Sequence, residues 1–186
     1  MTGRIVGPIT WMKESYLLSY EKDLGVWISA DVKCSKQSMY ACNKAMKVLG
    51  MIKRTMKFKH MRVMLSLYKS LVRPHVEYCI SAWNPHYKKD KVLIEKVQRR
   101  FTKMINNMAG KTYEERLYCV KLWTLEERRN RQDLIEVFKI CNGLSRLKLN
   151  ELFTLADNTK GIREHSWKLV KFRCTRDCCK YFFQLE

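Results

Sequence analysis

The stretch from Leu67 to Ile105 decides the fold, and it reads LYKSLVRPHVEYCISAWNPHYKKDKVLIEKVQRRFTKMI. Apolar residues recur in its second half at every third or fourth position, which is the period of one face of an α-helix. Pro74 and Pro85 interrupt its first half, because each lacks a backbone N–H and biases the preceding residue away from helical angles. The stretch therefore predicts a long amphipathic helix from about Lys88 to Met108, preceded by shorter helices that stop or kink near the prolines. The predicted buried stripe of the long helix consists of Ile94, Val97, Phe101, Met104, Ile105 and Met108.

The residues before this stretch predict two more helices and a hairpin. Helical spacing of apolar residues extends from Ser35 to about Lys53 and from about His60 through Val72. The β-prone run from Val26 to Ile28 follows Gly25 and is bounded by polar residues, which is typical of a short strand next to a turn. We therefore expect a β-hairpin ahead of the first helix.

Two helix starts are marked in the later part of the chain. Thr112 with Glu115, and Thr124 with Glu127, have the spacing of capping boxes, in which a hydroxyl and a carboxylate satisfy two unpaired backbone amides. The second of these helices is predicted to stop at Asn142-Gly143. Its predicted buried side consists of Leu134, Ile135, Val137, Phe138 and Cys141. The fold class that follows is mainly α, a helical bundle with a short N-terminal β-hairpin and an irregular C-terminal segment.

Positive charge is the dominant feature of the composition. The formal net charge is +19, from 37 Lys and Arg against 18 Asp and Glu in 186 residues. Between Asp31 and Glu77 there is no acidic residue, whereas eleven basic ones fall in that interval. Such a density repels itself unless a polyanion or counterions share the space, so the pattern favours a nucleic-acid partner over an anionic membrane surface or an unused basic face.

The eight cysteines do not form a convincing disulfide framework. No secretory signal precedes them, and Cys79, Cys119 and Cys141 fall among apolar residues of predicted helices, where a thiol acts as a small hydrophobe. We therefore expect a reduced, intracellular protein, in the nucleus or the cytoplasm, with no membrane-spanning segment. The ligand types of a zinc site are present at His165, Cys174, Cys178 and Cys179, but adjacent cysteines seldom point at one ion, and no metal site is predicted.

Several blocks together resemble one family. LYKSLVRPHVEYCISAWNP, KVQRRFTKMI, TYEERL, TLEERRNRQDLIEVFKI and RDCCKYFF are similar to the region that follows the catalytic palm in reverse transcriptases of non-LTR retrotransposons, the long interspersed elements. The resemblance implies a thumb and the helical connection behind it, with a primer-grip-like hairpin at Leu24, Gly25, Val26 and Trp27. It divides the chain into an unassigned leader (1–19), the hairpin (20–35), a thumb-like bundle (36–110), a helical connection (111–145) and a basic, aromatic C-terminal segment (146–186).

The same resemblance implies a fragment without catalysis. A polymerase of this family holds two Mg²⁺ ions on aspartates that include an adjacent Asp-Asp pair, because the metals neutralise charge on the transferred phosphoryl group. No Asp-Asp pair occurs in this sequence. The chain is therefore expected to be no enzyme and to need no cofactor, and its partners would be an RNA or DNA duplex, bound without sequence preference, and the missing palm and fingers.

Phosphate contacts need cations on rigid helices rather than base-reading side chains. The predicted nucleic-acid-binding residues are Lys44, Lys47, Lys53, Arg54, Lys57, Lys59, Arg99, Arg100 and Lys103. A weaker third group is Arg128, Arg129 and Arg131. Trp27 is the aromatic residue proposed to contact bases, whereas Trp83 and Trp123 are assigned to the core. The alternative function is a helical protein-interaction module, or an inert translated retroelement remnant with no nucleic-acid role.

Overall fold

The computed structural model of the protein describes residues 20–154 and residue 170. Two strands, β1 (Tyr20–Asp23) and β2 (Val26–Ser29), precede a series of helices. The helices are α1 (Ser35–Thr55), α2 (Met61–Leu67), α3 (Arg73–Glu77), α4 (Ile80–Trp83), α5 (Lys88–Lys103), α6 (Tyr113–Val120), α7 (Leu125–Cys141) and α8 (Leu149–Leu152), with a π-helical turn (Tyr68–Val72) joining α2 to α3. The mainly helical fold with an N-terminal β-hairpin is confirmed. The predicted irregular C-terminal segment lies largely outside the described residues.

The hairpin closes through a two-residue turn. Strands β1 and β2 are antiparallel, and Asp23 pairs with Val26 across the turn. Leu24 and Gly25 have φ angles of 43° and 86°, and two consecutive left-handed residues match the right-handed twist of the strands. A side chain at position 25 would meet only Cε1 of Tyr78, at 3.7 Å. Glycine is therefore favoured there by its backbone conformation rather than by lack of space.

Both predicted capping boxes are present. The hydroxyl of Thr112 accepts from the backbone N–H of Glu115 at 3.3 Å, and the Glu115 carboxylate accepts from the N–H of Thr112 at 2.8 Å. The corresponding distances for Thr124 and Glu127 are 3.1 and 2.9 Å. Helices α6 and α7 begin directly after the two threonines.

The end of α5 and the segment between the two prolines differ from the prediction. Helix α5 ends at Lys103, although Ile105 and Met108 are buried as predicted. The chain turns there through Asn107, at φ 62°, and the turn continues the apolar spacing of the helix. Cys79 was predicted to lie among the apolar residues of a helix. It is exposed and has a left-handed φ of 53°, because the helix is interrupted between α3 and α4.

A single core joins the hairpin to the start of α7. It extends from Val26 to Leu125 and includes the buried faces of α1 and α5. The rings of Tyr68 and Phe101 stack at its centre, with centroids 4.1 Å apart and an interplanar angle of 10°. Trp83 is buried, as predicted. Because all these elements share one core, helices α1 and α5 both pack against the same set of buried residues.

The buried side of α7 differs from the prediction at two of five positions, since Ile135, Val137 and Cys141 are half-buried whereas Leu134 and Phe138 are not. Leu134 and Phe138 were expected to be buried, but 67% and 61% of their surfaces are exposed. Arg129 and Asp133 lie on the buried side instead. Asp133 accepts a hydrogen bond from Asn84 at 2.7 Å, which ties α7 to the end of α4 through its polar side. Trp123, also assigned to the core, is half exposed, with the Arg131 guanidinium 4.8 Å from its ring centroid.

No helix among the described residues is both long enough and apolar enough to span a bilayer.

Candidate nucleic-acid interface

Helices α1 and α5 lie side by side and run in the same direction. Near their N-terminal ends the Ser35 hydroxyl donates to the Asp90 carboxylate at 2.6 Å. Further along both helices the Cys42 thiol lies 3.4 Å from the Leu93 carbonyl oxygen. Beyond their C-terminal ends, the N–H of Asn106 donates to the carbonyl of Lys59 at 3.2 Å. These three contacts follow the same order along both segments, which shows that the two helices are parallel.

The exposed faces of the two helices therefore point to the same side of the molecule, because their buried faces contribute to one core. On α1, residues 36, 47 and 54 lie on the solvent side, opposite the buried Ala45. On α5, residues 89, 96, 100 and 103 follow each other at intervals of seven, four and three, which is one helix face. We call this combined surface of α1 and α5 the basic face.

The basic face carries no exposed carboxylate. The acidic residues of α5 are Asp90, which is buried, and Glu95, which is half-buried on the other flank of the helix, while α1 contains none. The nine predicted binding residues are all exposed except Lys59, which is partly buried. Within residues 20–154, none of those nine cations forms an ion pair. Their charge is thus not neutralised by the described part of the fold.

The nine residues do not all lie in the same place. Lys47, Arg54, Arg100 and Lys103 are on the basic face itself. Lys53 lies at its edge, and Lys57 and Lys59 lie in the segment between α1 and α2 at the C-terminal end of the face. Arg99 lies on the far flank of α5, with its guanidinium 4.3 Å from the ring centroid of Tyr113.

A cluster of aromatic rings and lysines joins the hairpin to α1, and Lys44 belongs to it. The rings of Trp27 and Tyr40 meet edge to face at 6.1 Å. The Lys36 ammonium lies 4.1 Å from the Trp27 centroid, and that of Lys44 lies 4.7 Å from the Tyr40 centroid. Hydrogen bonds from Lys44 and Lys22 lower the pKa of Tyr40. Cations thus contact both the Trp27 ring, which was the candidate for base stacking, and the neighbouring Tyr40 ring.

Sequence reasoning missed most of this cluster. Lys22 and Trp27 are partners across the hairpin, a pairing that depends on the strand register. Lys36 and Tyr40 are one helical turn apart, so their common face was readable, but its contact with the hairpin was not. The backbone N–H of Trp27 also donates to the buried Gln37 side chain at 3.0 Å, which fixes the hairpin on α1. Of the four residues proposed to resemble a primer grip, Trp27 therefore lies against α1, whereas the carbonyl of Leu24 accepts from the Tyr78 hydroxyl at 2.9 Å.

The third predicted group of arginines does not form a binding surface. Arg128 makes two hydrogen bonds to the carboxylate of Glu77, at 2.5 and 3.1 Å. Arg129 is buried, and its guanidinium contacts the carbonyl of Val76 at 3.4 Å. Arg131 lies over Trp123. Arg128 and Arg129 thus hold α7 against α3.

A cavity of 460 Å³ lies on the flank of α5 that faces α6 and the start of α7. Its floor contains Glu95, whose carboxylate accepts hydrogen bonds from the hydroxyl of Tyr113 and from the N–H of Leu125, the latter at 3.0 Å. Burial raises the pKa of Glu95. Behind it, the buried Gln98 amide donates to the Tyr113 hydroxyl and accepts from the Tyr68 hydroxyl at 2.8 Å. These hydrogen bonds fix the positions of the Glu95, Gln98 and Tyr113 side chains at the cavity.

The cysteines form no disulfide among the described residues. Cys34, Cys42, Cys79, Cys119 and Cys141 are free, and burial raises the pKa of the Cys34 and Cys42 thiols to about 11. Among residues 20–154 no three His, Cys, Asp or Glu side chains are grouped around a point that could hold a metal ion. The four zinc-type residues between His165 and Cys179 lie outside the described residues.

Comparison of the chain with protein families, curated proteins and solved structures finds no match.

Proposed function

We propose that this chain is the thumb-like part of a non-LTR retrotransposon reverse transcriptase, and that it binds a primer-template duplex through phosphate contacts on the basic face. The observation that carries the proposal is the pair of parallel helices whose outward sides bear cations without ion-pair partners and no exposed carboxylate. A duplex supplies the missing negative charge as a row of phosphates. Helix α1 has 21 residues and is about 31 Å long, so it can contact such a row along its whole length.

The chain has no catalytic role of its own in this proposal. The blocks that resemble the polymerase follow the palm, and the sequence has no adjacent aspartate pair. Holding the duplex needs neither, because phosphate contacts position a nucleic acid without reading its bases. The palm and fingers would be the protein partners of this fragment.

The salt dependence of binding tests the electrostatic mechanism. If about five cations of the basic face neutralise phosphates of a B-form duplex, the logarithm of the association constant should fall with the logarithm of salt concentration with a slope of about −4.5. Fluorescence anisotropy with a labelled primer-template at several salt concentrations measures this slope. Binding that is absent, or independent of salt, would refute the proposal.

Charge reversal tests the location. The Lys47→Glu/Arg100→Glu variant changes one residue on each helix of the basic face and should weaken duplex binding at least about 30-fold, because two attractive contacts become repulsive. Lys69→Glu/Lys121→Glu is the matched control: it changes the net charge equally, and both residues are exposed and lie on neither helix. Equal losses in the two variants would mean that net charge, and not the basic face, governs binding. Thermal melts of both variants establish that they are folded.

One observation favours the alternative, a protein-interaction module. Leu134, Phe138 and Leu144 are all more than half exposed, on and just beyond the C-terminal half of α7. Exposed apolar residues in one region are characteristic of an interaction surface. If the alternative holds, Leu134→Glu/Phe138→Glu should abolish association with a protein partner and leave the duplex isotherm unchanged.

A further inference from the structure

The cavity beside α5 has the size and the chemical variety of a ligand site. Its 460 Å³ falls within the usual range for small-molecule sites. Val92, Leu117 and Tyr113 supply apolar surface to its walls, while Lys88 and Arg99 lie at its opening. The opening thus has cations at Lys88 and Arg99 and exposed carboxylates at Glu114 and Glu126, and the interior is partly apolar.

The floor of the cavity offers a hydrogen-bond acceptor. Both oxygens of Glu95 are held by protein donors, Tyr113 and Leu125, and none of the cations in residues 20–154 forms an ion pair with it. Each carboxylate oxygen has a second lone pair, so a ligand N–H could still be accepted. The other acids at the cavity are placed differently: Glu126 is paired with Lys91 at 2.9 Å, and Glu114 is exposed in the first turn of α6.

These features together specify a ligand with an anionic end, a flat body and N–H donors at the opposite end. Adenine, cytosine and guanine carry exocyclic amino groups that donate to a carboxylate, whereas uracil and thymine have none and offer only a ring N–H between two carbonyl groups that repel a carboxylate. A phosphate suits Lys88 and Arg99 at the opening. The chemistry is that of a nucleotide.

The cavity is also next to the basic face. Arg99 lies between the two, since it is exposed on α5 beside Lys96 and Arg100 and also lines the cavity. A strand held on the basic face can therefore place one nucleotide at the opening without leaving α5. Paired bases cannot enter, because the partner strand would have to follow.

We propose that the cavity takes one unpaired nucleotide of a nucleic acid bound on the basic face, and that it prefers bases with an exocyclic amino group over uracil and thymine. This inference rests on the proposed function, because the basic face delivers the strand. Glu95 accepts from the amino group, and Lys88 and Arg99 hold the phosphate.

The test compares duplexes that differ by a single overhanging nucleotide. With the full chain, anisotropy is measured for a blunt duplex and for the same duplex with one overhanging cytosine or one overhanging uracil, at either strand end. The cytosine overhang should tighten binding about tenfold over the blunt duplex, and the uracil overhang less than about twofold. Equal effects of the two bases, or no gain from any overhang while the blunt duplex binds, would overturn the inference. If the blunt duplex does not bind at all, the proposed function fails first.

Two variants locate the effect. Glu95→Gln replaces the acceptor and should reduce the cytosine gain to less than about twofold, whereas Glu21→Gln, an exposed acid on the hairpin, should preserve it. Because glutamine has one acceptor oxygen where Glu95 uses two, for Tyr113 and for the N–H of Leu125, the Glu95 variant is expected to be less stable. Val92→Trp, at the half-exposed rim, fills the opening without touching the network and should remove the gain as well. A cytosine gain that persists in Val92→Trp contradicts the assignment to this cavity.

Discussion

Replacing Tyr68 by phenylalanine isolates one hydrogen bond at the centre of the core. The Tyr68 hydroxyl donates to the side-chain oxygen of Gln98 at 2.8 Å, and both residues are fully buried. Phenylalanine keeps the ring that stacks on Phe101, so the packing contribution is unchanged. It leaves the Gln98 oxygen without that donor, and a buried unpaired acceptor costs about 1–3 kcal/mol.

The expected loss of stability is therefore about 2 kcal/mol. For a chain of 186 residues the unfolding entropy near the midpoint is roughly 0.4 kcal/mol/K, so Tm should fall by about 5 °C. Urea denaturation followed by circular dichroism gives the free energy of unfolding, and the dependence on urea should be unaltered because the buried surface is nearly the same.

The matched control is Tyr118→Phe, since Tyr118 is 87% exposed. That variant should change the free energy of unfolding by less than about 0.5 kcal/mol. In a Gln98→Met background, Tyr68→Phe should cost less than it does alone, because no acceptor is then left unpaired. If Tyr68→Phe is as neutral as Tyr118→Phe, the described network does not hold the core.

Three further variants test local features. Thr124→Ala removes the hydroxyl that accepts from the N–H of Glu127 and should cost about 1 kcal/mol in urea denaturation, with Thr→Ser at the same position nearly neutral. Gly25→Ala should cost about 1–2 kcal/mol because φ is 86° there, and a Gly25→Asn variant should recover part of the loss. Hydrogen bonds from Lys33 and Ser29 lower the pKa of Asp31 to about 2, so its contribution is present above its ordinary pKa of 3.8 and is lost as pH falls towards 2. Asp31→Asn should therefore be less stable than the wild type at pH 7, by less than about 1 kcal/mol because the pair is exposed, and equally stable at the acid end of a pH series of melts.

The helices were predictable wherever a local signal identified them. The capping boxes at Thr112 and Thr124 act within four residues, so their hydrogen bonds follow from spacing alone. The stripe of α5 was also readable, because nearly all of its apolar residues face one core. What spacing could not give is the end of the helix: Ile105 and Met108 keep the helical period while lying in a turn.

The buried side of α7 was wrongly predicted at Leu134 and Phe138 because its two possible buried sides compete. One side carries Leu134 and Phe138, and the other carries Arg129 and Asp133. Hydrophobicity favours the first. Contacts with distant residues favour the second, since Asp133 bonds Asn84 and Arg129 contacts the carbonyl of Val76. No rule based on residue type alone anticipates such partners.

The positive charge of the candidate site was predictable from the sequence, but the arrangement of its helices was not. The interval without acids identified α1, and the stripe of cations identified α5. That the two helices are parallel neighbours depends on contacts such as Ser35 with Asp90, which are far apart in sequence. The cavity at Glu95 is formed by three helices and gave no signal in the sequence.

The parallel arrangement of α1 and α5 makes the basic face electrically uneven along its length. Aligned peptide dipoles leave roughly half a positive charge at the start of each helix and half a negative charge at its end. At the Ser35 and Lys88 ends these partial charges add to those of the lysines, whereas at the Thr55 and Lys103 ends exposed carbonyls offset part of the cationic charge. A polyanion lying along the pair would therefore meet a field gradient that attracts its phosphates more strongly at the Ser35 and Lys88 ends than at the Thr55 and Lys103 ends.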